Sequence, residues 1–250
     1  MENLSSDAFL GGKLTLLQPQ SGYRAGADPV FLAAAVPAKV GDTVLDVGCG
    51  VGTALLCLMA RIDGLTAAGV DANEEYAELA RQNAKNAKFD AEIFDCDLPA
   101  LPAVLKDRSF DHVLTNPPFF DRAEGSPAAN MSREKGRGET LDLDTWIDVC
   151  VRRLSPKGTL TVIQRAERLP ALLTALDDRL GAVTALPLAP RSGRAAKLVI
   201  LQAQKGAKGS FQLLSPLVLH KGDRHEKDGD SYTDEAQNIL RFGAPMPLSR

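Results

Sequence analysis

The chain has 250 residues, of which 44% are hydrophobic and 24% charged, and its formal net charge is −3. This composition falls in the range of ordinary globular proteins and allows a sizeable buried core. No apolar run approaches the roughly eighteen residues of a membrane span, and residues 1–10 carry acids where a signal peptide carries Lys or Arg. These features exclude a membrane-spanning protein, and we expect a cytoplasmic one.

The cysteines of the chain are scattered without a C-x-x-C pair. This spacing argues against a structural zinc site and against a disulfide framework. We therefore expect no metal and mostly buried, reduced thiols at Cys49, Cys57, Cys96 and Cys150.

Residues 1–40 contain one predicted helix, over 29–36, which is too little for a separate domain. From Thr43 onward, short apolar runs alternate with amphipathic stretches, a pattern typical of βαβ units and a mostly parallel sheet. Asn73 is a predicted N-cap. The predicted strands cover 43–47, 66–70, 91–94, 110–115 and 159–164, and the predicted helices cover 53–61, 73–87 and 141–154.

Two later apolar segments, 183–187 and 198–203, flank a stretch rich in Pro, Gly and Arg. They predict an antiparallel C-terminal hairpin on the same sheet. The polar segment 121–139 lacks either periodicity and predicts a long loop, which in compact domains tends to be a lid or a binding loop. The fold class is therefore α/β, with a mostly parallel seven-stranded sheet.

A glycine-rich turn, D-V-G-C-G-V-G from Asp46, follows the first of these strands. Glycines there let the backbone approach a ligand closely. The third glycine comes one residue too early for the dinucleotide fingerprint G-x-G-x-x-G, which disfavours a nicotinamide cofactor. About twenty residues further on, Asp71 ends the next strand, where an acid can accept hydrogen bonds from ribose hydroxyls. Together these features indicate a cofactor that contains a nucleoside.

The pattern D-x-G-x-G-x-G resembles the first motif of the class I S-adenosylmethionine-dependent methyltransferases. That resemblance implies a Rossmann-like fold and S-adenosylmethionine as the cofactor. In that family an acid after the third strand usually reads the adenine of the cofactor; Asp97 matches it, and Asp95 is equally good by position. The cofactor-binding residues implied so far are Asp46, Gly48, Cys49, Gly50, Gly52, Asp71 and Asp97.

The fourth predicted strand runs directly into the sequence N-P-P-F, which begins at Asn116. In an open α/β sheet this is the carboxyl edge, so the motif should face the glycine-rich turn. Proline has no N–H donor, so a backbone carbonyl can point outward unpaired beside the Asn116 side-chain oxygen. Two such acceptors fit a planar NH₂ group, and Phe119 can stack on its ring. Asn116, Pro117, Pro118 and Phe119 are therefore the predicted catalytic residues.

With this motif included, nearly the whole chain resembles the short bacterial amino-methyltransferases typified by the adenine-N6 methyltransferase of valine tRNA. Gln18-Pro19 and the following residues look like the N-terminal element of that family, which helps enclose the cofactor. The resemblance thus implies an N-terminal extension, 1–40, closing over the cofactor site, and a methyltransferase domain, 41–250. It adds Tyr23, Arg24, Asp28 and Asn116 to the cofactor-binding residues.

Between Asp178 and Asp223 the chain has several basic residues and no acidic one. This interval can form a phosphate-facing patch, although a solvated face is the simpler interpretation. In addition, Arg133 and Arg137 resemble a basic-acidic loop near the substrate of the family. The candidate RNA-binding residues are Arg133, Arg137, Arg191, Arg194 and Lys197.

Other families share N-P-P-F, so protein glutamine, ribosomal RNA guanine or a small molecule are alternative substrates. The glutamine enzymes carry a helical N-terminal domain, for which about 40 upstream residues leave no room, and the ribosomal RNA guanine enzymes tend to carry a second domain. The basic interval and the loop 121–139 argue weakly against a small substrate. A non-catalytic RNA-binding module is disfavoured by the intact Asn116 and glycine-rich turn. We predict an N-methyltransferase of adenine in RNA, with tRNA as the partner, while the oligomeric state stays open. Trp146 and His112 are predicted core residues without a catalytic role.

Overall fold

The computed structural model describes residues 4–22, 24–118, 141–222 and 231–248. The predicted loop 121–139 lies outside these residues, as do Tyr23, Phe119, Arg133 and Arg137. Within the described ranges, no helix has the length and apolar character needed to cross a bilayer. No group of three or more His, Cys, Asp or Glu side chains in the same ranges is arranged to hold a metal ion.

A central sheet of nine strands organises the described part of the chain, and a separate two-stranded hairpin precedes it. The hairpin pairs β1 (Leu4–Phe9) with β2 (Leu14–Pro19) antiparallel. The strands of the central sheet are β3 (Thr43–Val47), β4 (Thr66–Asp71), β5 (Ala91–Asp95), β6 (Phe110–Thr115), β7 (Leu154–Arg165), β8 (Leu180–Ala189), β9 (Leu198–Lys205), β10 (Gln212–Leu213) and β11 (Leu217–Val218).

The order across the sheet is β10-β8-β9-β7-β6-β3-β4-β5, and β11 also pairs with β8. Strands β3 to β7 are parallel to one another, whereas β9 runs antiparallel to both β7 and β8. This topology confirms the α/β class, the mostly parallel sheet and the antiparallel C-terminal hairpin. It adds β10 and β11 to the seven predicted strands, because strands of two residues are too short to show a period in sequence.

Helices cover both faces of the sheet, as a parallel sheet requires. The strands β3 and β6 are almost completely buried, which explains why their residues show no regular alternation of buried and exposed positions. One core cluster holds side chains of the first two helices, and the other holds side chains of the fourth and fifth. The helices are α1 (Asp28–Ala35), α2 (Thr53–Arg61), α3 (Glu74–Asn86), α4 (Ala103–Lys106), α5 (Leu143–Arg153), α6 (Leu169–Ala175) and α7 (Asp234–Phe242).

The predicted helix boundaries agree closely with the structure. Helix α2 matches its prediction, and α3 begins after Asn73, whose side chain accepts a hydrogen bond from the Tyr76 main-chain N–H at 3.1 Å. Strand β7 begins five residues earlier than predicted. Leu154 pairs with Phe110, and the register shifts before the next pair. Pro156 and Gly158, which are typical of a turn, therefore lie inside an irregular strand.

The hairpin of β1 and β2 is absent from the sequence prediction for residues 1–40. Strand β1, L-S-S-D-A-F, is largely polar and gives no clear alternation. The turn between the strands uses Gly11 and Gly12 at φ 67° and 91°, conformations that favour glycine. The predicted helix in this region is confirmed as α1.

The cysteines are free, and three of them are buried, as predicted; Cys96 is partly buried. Burial raises the pKa of the Cys49, Cys57 and Cys150 thiols, so these thiols stay protonated at neutral pH. His112 is a core residue as predicted, 7% exposed, with Nε2 3.0 Å from Oδ2 of Asp42.

Candidate active site

The glycine-rich turn and the Asn116 motif begin side by side. Val47 and Thr115 are directly paired at the ends of β3 and β6, which are parallel neighbours in the middle of the sheet. Gly48 and Asn116 are the next residues of the two strands. The structure therefore brings the two predicted functional segments together at the carboxyl edge, where open α/β sheets bind ligands.

The glycine-rich turn, residues 48–52, is held by main-chain hydrogen bonds that it donates to the end of β4. The N–H groups of Gly48 and Cys49 both donate to the Val70 main-chain oxygen at 2.9 Å. Gly50 has φ 56°, and a Cβ built on it would meet no atom within 4 Å. The absent side chain thus leaves open space beside the Gly50 backbone, into which a nucleoside cofactor can approach closely.

Asp71 is bonded to the turn that it faces. One carboxylate oxygen accepts the Gly50 N–H at 2.8 Å, and the other accepts the Asn73 N–H at 2.9 Å. Each carboxylate oxygen can accept more than one hydrogen, and these two bonds orient the group toward the turn.

Asp46 lies beneath the turn and is 1% exposed. Burial raises the pKa of its carboxyl to about 7. A hydrogen bond from the Leu55 main chain lowers this pKa, and the Asp71 carboxylate raises it by a smaller amount. Within the described residues, Oδ2 of Asp46 and Oγ1 of Thr53 are buried without a hydrogen-bond partner. Buried oxygens without a partner are costly, and they fit a site that a polar, cationic ligand completes.

The two acids after β5 differ in their surroundings. Asp95 is bound to Arg81 at 2.6 Å, and this hydrogen bond lowers the pKa of the Asp95 carboxyl. Asp97 is exposed, and no residue in the described ranges forms an ion pair with it. Asp97 is therefore the acid that remains available to a ligand.

The Asn116 motif differs from its prediction in one respect. The Oδ1 atom of Asn116 is buried, and Pro118 is exposed. The Pro117 carbonyl is not unpaired as predicted, because Nε2 of the buried Gln164 donates to it over 3.4 Å. A carbonyl oxygen can accept two hydrogens. This long bond therefore orients the Pro117 oxygen and leaves its other lone pair for a second hydrogen.

Sequence reasoning missed three polar side chains that touch these segments: Thr115, Trp146 and Gln164. Thr115 donates to the Val47 main-chain oxygen at 2.6 Å and accepts the Trp146 Nε1–H at 2.8 Å. Trp146 packs against the core as predicted, and it also contacts the glycine-rich turn. The position of Thr115 before N-P-P-F was a usable signal, whereas the other two contacts join segments far apart in sequence.

Two of the N-terminal residues implied by the family resemblance, Gln18 and Arg24, meet at the Asp7 carboxylate. The Gln18 side chain, 1% exposed, bonds both the N–H and the carbonyl of Ala25, and its Nε2 donates to Asp7 at 2.8 Å. Arg24 pairs with the same carboxylate at 2.8 Å. Burial raises the pKa of Asp28 at the start of α1.

The buried Asn83 of α3 ties this hairpin to the glycine-rich turn. Its Oδ1 accepts the Leu17 N–H at 2.8 Å, and its Nδ2 donates to the carbonyls of Leu17 and Val51, each at 3.0 Å. The hairpin is thereby fixed beside the turn.

The basic interval 179–222 does not form the single patch that the sequence suggested. Because β9 runs antiparallel to β7 and begins where β7 ends, the β8–β9 loop lies at the carboxyl edge, and the end of β9 lies at the opposite edge. Arg194 and Lys197 are exposed on the carboxyl-edge loop.

Most of the other basic residues of the interval bind side chains or main-chain carbonyls of this chain. Arg179 pairs with Asp148 at 2.8 Å and also with Asp177. Lys205 donates to two main-chain carbonyls of α5 and β7. Arg191 lies on the carboxyl-edge loop, but its guanidinium donates to the carbonyls of Lys221 and Gly222. The interval is therefore divided between two edges of the sheet.

The family of the chain follows from comparison with known proteins. Residues 26–187 match the model of the methyltransferase small domain. A protein of Porphyromonas gingivalis, named tRNA1(Val) (adenine(37)-N6)-methyltransferase, is 28% identical over 177 residues, which are 68% of this chain and 69% of that protein. A Dickeya chrysanthemi protein of the same name is 28% identical over 88% of this chain and 90% of its own length.

A solved structure has the same fold. It is a predicted O-methyltransferase from Agrobacterium tumefaciens, 22% identical, with a TM-score of 0.71 over 89% of this chain and 100% of that one. The likeness confirms the class I methyltransferase fold, and the cofactor of that class fits the cradle and the buried oxygens described above. The chain belongs to the methyltransferase small domain family and is an S-adenosylmethionine-dependent methyltransferase.

Proposed function

We propose that this enzyme methylates the exocyclic amine of an adenine in RNA, with tRNA as the substrate. The observation that carries the proposal is the pairing of Val47 with Thr115, which sets the glycine-rich turn and Asn116 on adjacent strand ends. A methyl donor held by the turn and an amine held by Asn116 are then neighbours.

The catalytic contribution of the chain is positional. S-adenosylmethionine supplies an electrophilic methyl group on a sulfonium. The Asn116 side-chain oxygen and the Pro117 carbonyl accept the two amine hydrogens, which draws the nitrogen lone pair out of conjugation and directs it at the methyl group. Formation of the N–C bond would break the C–S bond and release S-adenosylhomocysteine, and the methylated nitrogen would then lose its proton to water without a strong base. Alignment and electrostatics therefore account for most of the rate.

The relatives support adenine in tRNA as the substrate. The curated proteins above carry names that specify adenine 37 of a valine tRNA. A loop base of this kind is already partly unstacked, so its extrusion costs a few kcal/mol or less. The N-P-P-F motif suits the planar amine of adenine, with Phe119 as a stacking surface.

Nucleoside analysis tests the substrate. Purified tRNA from cells with and without the gene is digested and analysed by mass spectrometry. Loss of N6-methyladenosine on deletion, with restoration by the wild-type gene but not by an Asn116→Ala copy, is expected. An unchanged adenosine profile, together with loss of a methylated guanine or of a methylated glutamine in protein, would identify one of the alternative substrates instead.

We further propose that the cofactor site is completed by Asp97 and by the N-terminal extension. Asp97 is favoured over Asp95 as the residue that reads the cofactor adenine, because Asp95 is held by Arg81. The bonds of Asn83 to Leu17 and Val51 support a closing role for residues 1–40. Gly48, Cys49, Gly50, Gly52 and Asp71 form the remaining wall in this proposal.

Cofactor affinity should depend on the ionisation of Asp46. Its pKa is about 7 in the structure. The cofactor carries an ammonium and a sulfonium, and a cofactor bound at the glycine-rich turn would add these positive charges near Asp46. A cationic ligand favours the ionised carboxylate. Below pH 7 most of Asp46 is protonated and must lose its proton on binding, which lowers the affinity. We expect the affinity for S-adenosylmethionine, measured by calorimetry, to rise about tenfold between pH 5.5 and 7.5.

Two controls isolate this effect. Asp46→Asn cannot ionise, and its affinity should be nearly constant across the same pH range. Adenosine lacks both positive charges, so its binding to the wild type should also be independent of pH. A slope that persists in Asp46→Asn would assign the titration to another group.

The carboxyl-edge loop, residues 190–197, is the proposed RNA contact of the described residues. Its position follows from the pairing of Arg165 with Leu198 and from the bond of the Ala166 N–H to the Lys197 carbonyl. Strand β8 is three strands from β6, roughly 15 Å at the usual spacing. An RNA strand that places one base at Asn116 can therefore bring a neighbouring phosphate to this loop.

The salt dependence of RNA binding tests this surface. Arg194→Ala with Lys197→Ala should weaken tRNA binding and lower the slope of log K against log salt by about 1.5, since each phosphate contact contributes about 0.7 to 0.9. Arg191 is left intact in this variant because it anchors main-chain carbonyls.

The matched control removes the same charge from the opposite edge. Lys157 and Lys208 are exposed at the amino edge of the sheet, at the start of β7 and beyond the end of β9. Replacing both with Ala should leave the slope within experimental error of the wild type. Equal effects of the two double variants would mean that binding follows net charge alone.

A further inference from the structure

A chain of hydrogen bonds joins the two segments that hold the reactants. The Trp146 Nε1–H donates to Oγ1 of Thr115 at 2.8 Å, and that hydroxyl donates to the main-chain oxygen of Val47 at 2.6 Å. We name this chain of contacts the tryptophan–threonine relay. Val47 immediately precedes the glycine-rich turn, and Thr115 immediately precedes Asn116. The relay thus joins the two strand residues that immediately precede these segments.

The relay has only one arrangement of hydrogens. An indole N–H can only donate and a carbonyl can only accept, so the single hydroxyl hydrogen of Thr115 must point at Val47. Thr115 is 0% exposed, so water cannot replace either bond at that residue. Breaking either bond would leave a buried polar group without its partner, which is costly. Both bonds should therefore persist, and the relay connects the two strands rigidly.

The Trp146 ring also fixes the first residue of the turn. Gly48 has φ 75°, and a Cβ built on it would lie 2.6 Å from Cζ2 and 2.8 Å from Cη2 of the ring. The indole therefore packs directly on the Gly48 backbone, where a side chain has no room. The turn is held at Val47 by the Thr115 hydroxyl and at Gly48 by the indole.

We propose that Thr115 and Trp146 are positioning residues, which set the separation between the cofactor turn and the amine-binding motif. The proposal rests on the proposed function for the identity of the acceptor. In-line methyl transfer needs both reactants aligned, and a misplacement of about 1 Å can cost about 100-fold in rate. The relay acts through Val47, Gly48 and Asn116, without contact of its own with the transferred methyl group.

Three substitutions separate positioning from stability. Thr115→Val keeps the shape and removes the hydroxyl, Trp146→Phe keeps an aromatic ring and removes the N–H, and Thr115→Ser keeps the hydroxyl. Single-turnover transfer to tRNA is measured at saturating S-adenosylmethionine, per folded molecule counted by S-adenosylhomocysteine binding. Thr115→Val and Trp146→Phe should be about 10- to 100-fold slower, with cofactor affinity within about threefold. Thr115→Ser should stay within about threefold of the wild-type rate.

A matched control is Thr161→Val. Thr161 is 0% exposed on the neighbouring strand β7, and its hydroxyl accepts from Gln202 rather than from the site. This variant should lose thermal stability while its rate per folded molecule stays close to wild type. If Thr115→Val and Trp146→Phe behave like Thr161→Val, the relay is a structural contact only, and the proposal is overturned.

A second readout does not depend on the acceptor. Amide hydrogen exchange, recorded with S-adenosylhomocysteine bound, should speed up at residues 48–52 in Thr115→Val and Trp146→Phe and remain unchanged there in Thr161→Val. If the wild type methylates no adenine, the proposed function fails, but the exchange data still decide the role of the relay. Unchanged exchange at 48–52 in both relay variants would overturn the inference.

Discussion

Asn116→Ala is expected to lower methyl transfer to tRNA by about 100- to 1,000-fold, while the fold stays intact and the affinity for S-adenosylmethionine changes far less than the rate. The Asn116 side-chain oxygen is one of only two acceptors proposed for the target amine, and its contact with the amine exists only when substrate is bound. Because that contact strengthens in the transition state, its loss should lower kcat more than it raises KM. Removing one preorganised acceptor typically costs about 100- to 1,000-fold.

Asn116→Asp gives the matched comparison. A carboxylate still accepts two hydrogens, so this variant should retain more activity than Asn116→Ala. If Asn116 instead only caps the turn after β6, both substitutions should lower the melting temperature and leave single-turnover rates per folded molecule largely intact. Wild-type turnover by Asn116→Ala would contradict the amine-methylation mechanism and with it the proposed substrate.

The sheet that carries this site could be predicted because its short, mainly apolar strands alternate with amphipathic helices. The glycine-rich turn and N-P-P-F also mark the ends of β3 and β6. The parallel order then follows from the alternation of strands with helices. Position at the carboxyl edge therefore needed no knowledge of side-chain contacts.

The N-terminal hairpin could not be predicted in the same way. Much of its attachment comes from Asn83, a polar residue on a helix more than sixty positions away. Strand β2 also buries Leu14 and Leu16 in the core, but two alternate leucines are too short a pattern to identify a strand, and the hydrogen bonds of Asn83 leave no period in the sequence. The two-residue strands β10 and β11 likewise depend on pairing with β8 rather than on local preference.

The basic interval is divided between two edges because residues close in sequence need not be close in space. Arg194 and Lys205 are close in sequence, yet an antiparallel strand separates them by the height of the sheet. Charge clusters in sequence become patches only when the intervening chain turns back, as the β8–β9 loop does. The contacts of Trp146 and Gln164 were missed for the opposite reason, since they join segments far apart in the chain.

Asp71→Ala is expected to weaken S-adenosylmethionine binding by tenfold or more. The Asp71 carboxylate is oriented by the N–H groups of Gly50 and Asn73, at 2.8 and 2.9 Å, so it can accept ribose hydroxyls with little reorganisation. Removing one partner of a charge-assisted hydrogen bond typically costs about 1.5–3 kcal/mol, which corresponds to roughly 10- to 150-fold in affinity. Calorimetry with the cofactor and with adenosine should give similar losses, because both carry the ribose.

Asp95 provides the control that the fold itself offers. It is the register partner of Asp71 on the adjacent strand β5, with a similar place at the sheet edge, but its carboxylate is bound to Arg81. Asp95→Ala should therefore leave cofactor affinity within about twofold, because no ligand contact is lost. Equal losses in Asp71→Ala and Asp95→Ala would mean that general negative charge at this edge, rather than a ribose contact, holds the cofactor. An unchanged affinity in folded Asp71→Ala would remove Asp71 from the site altogether.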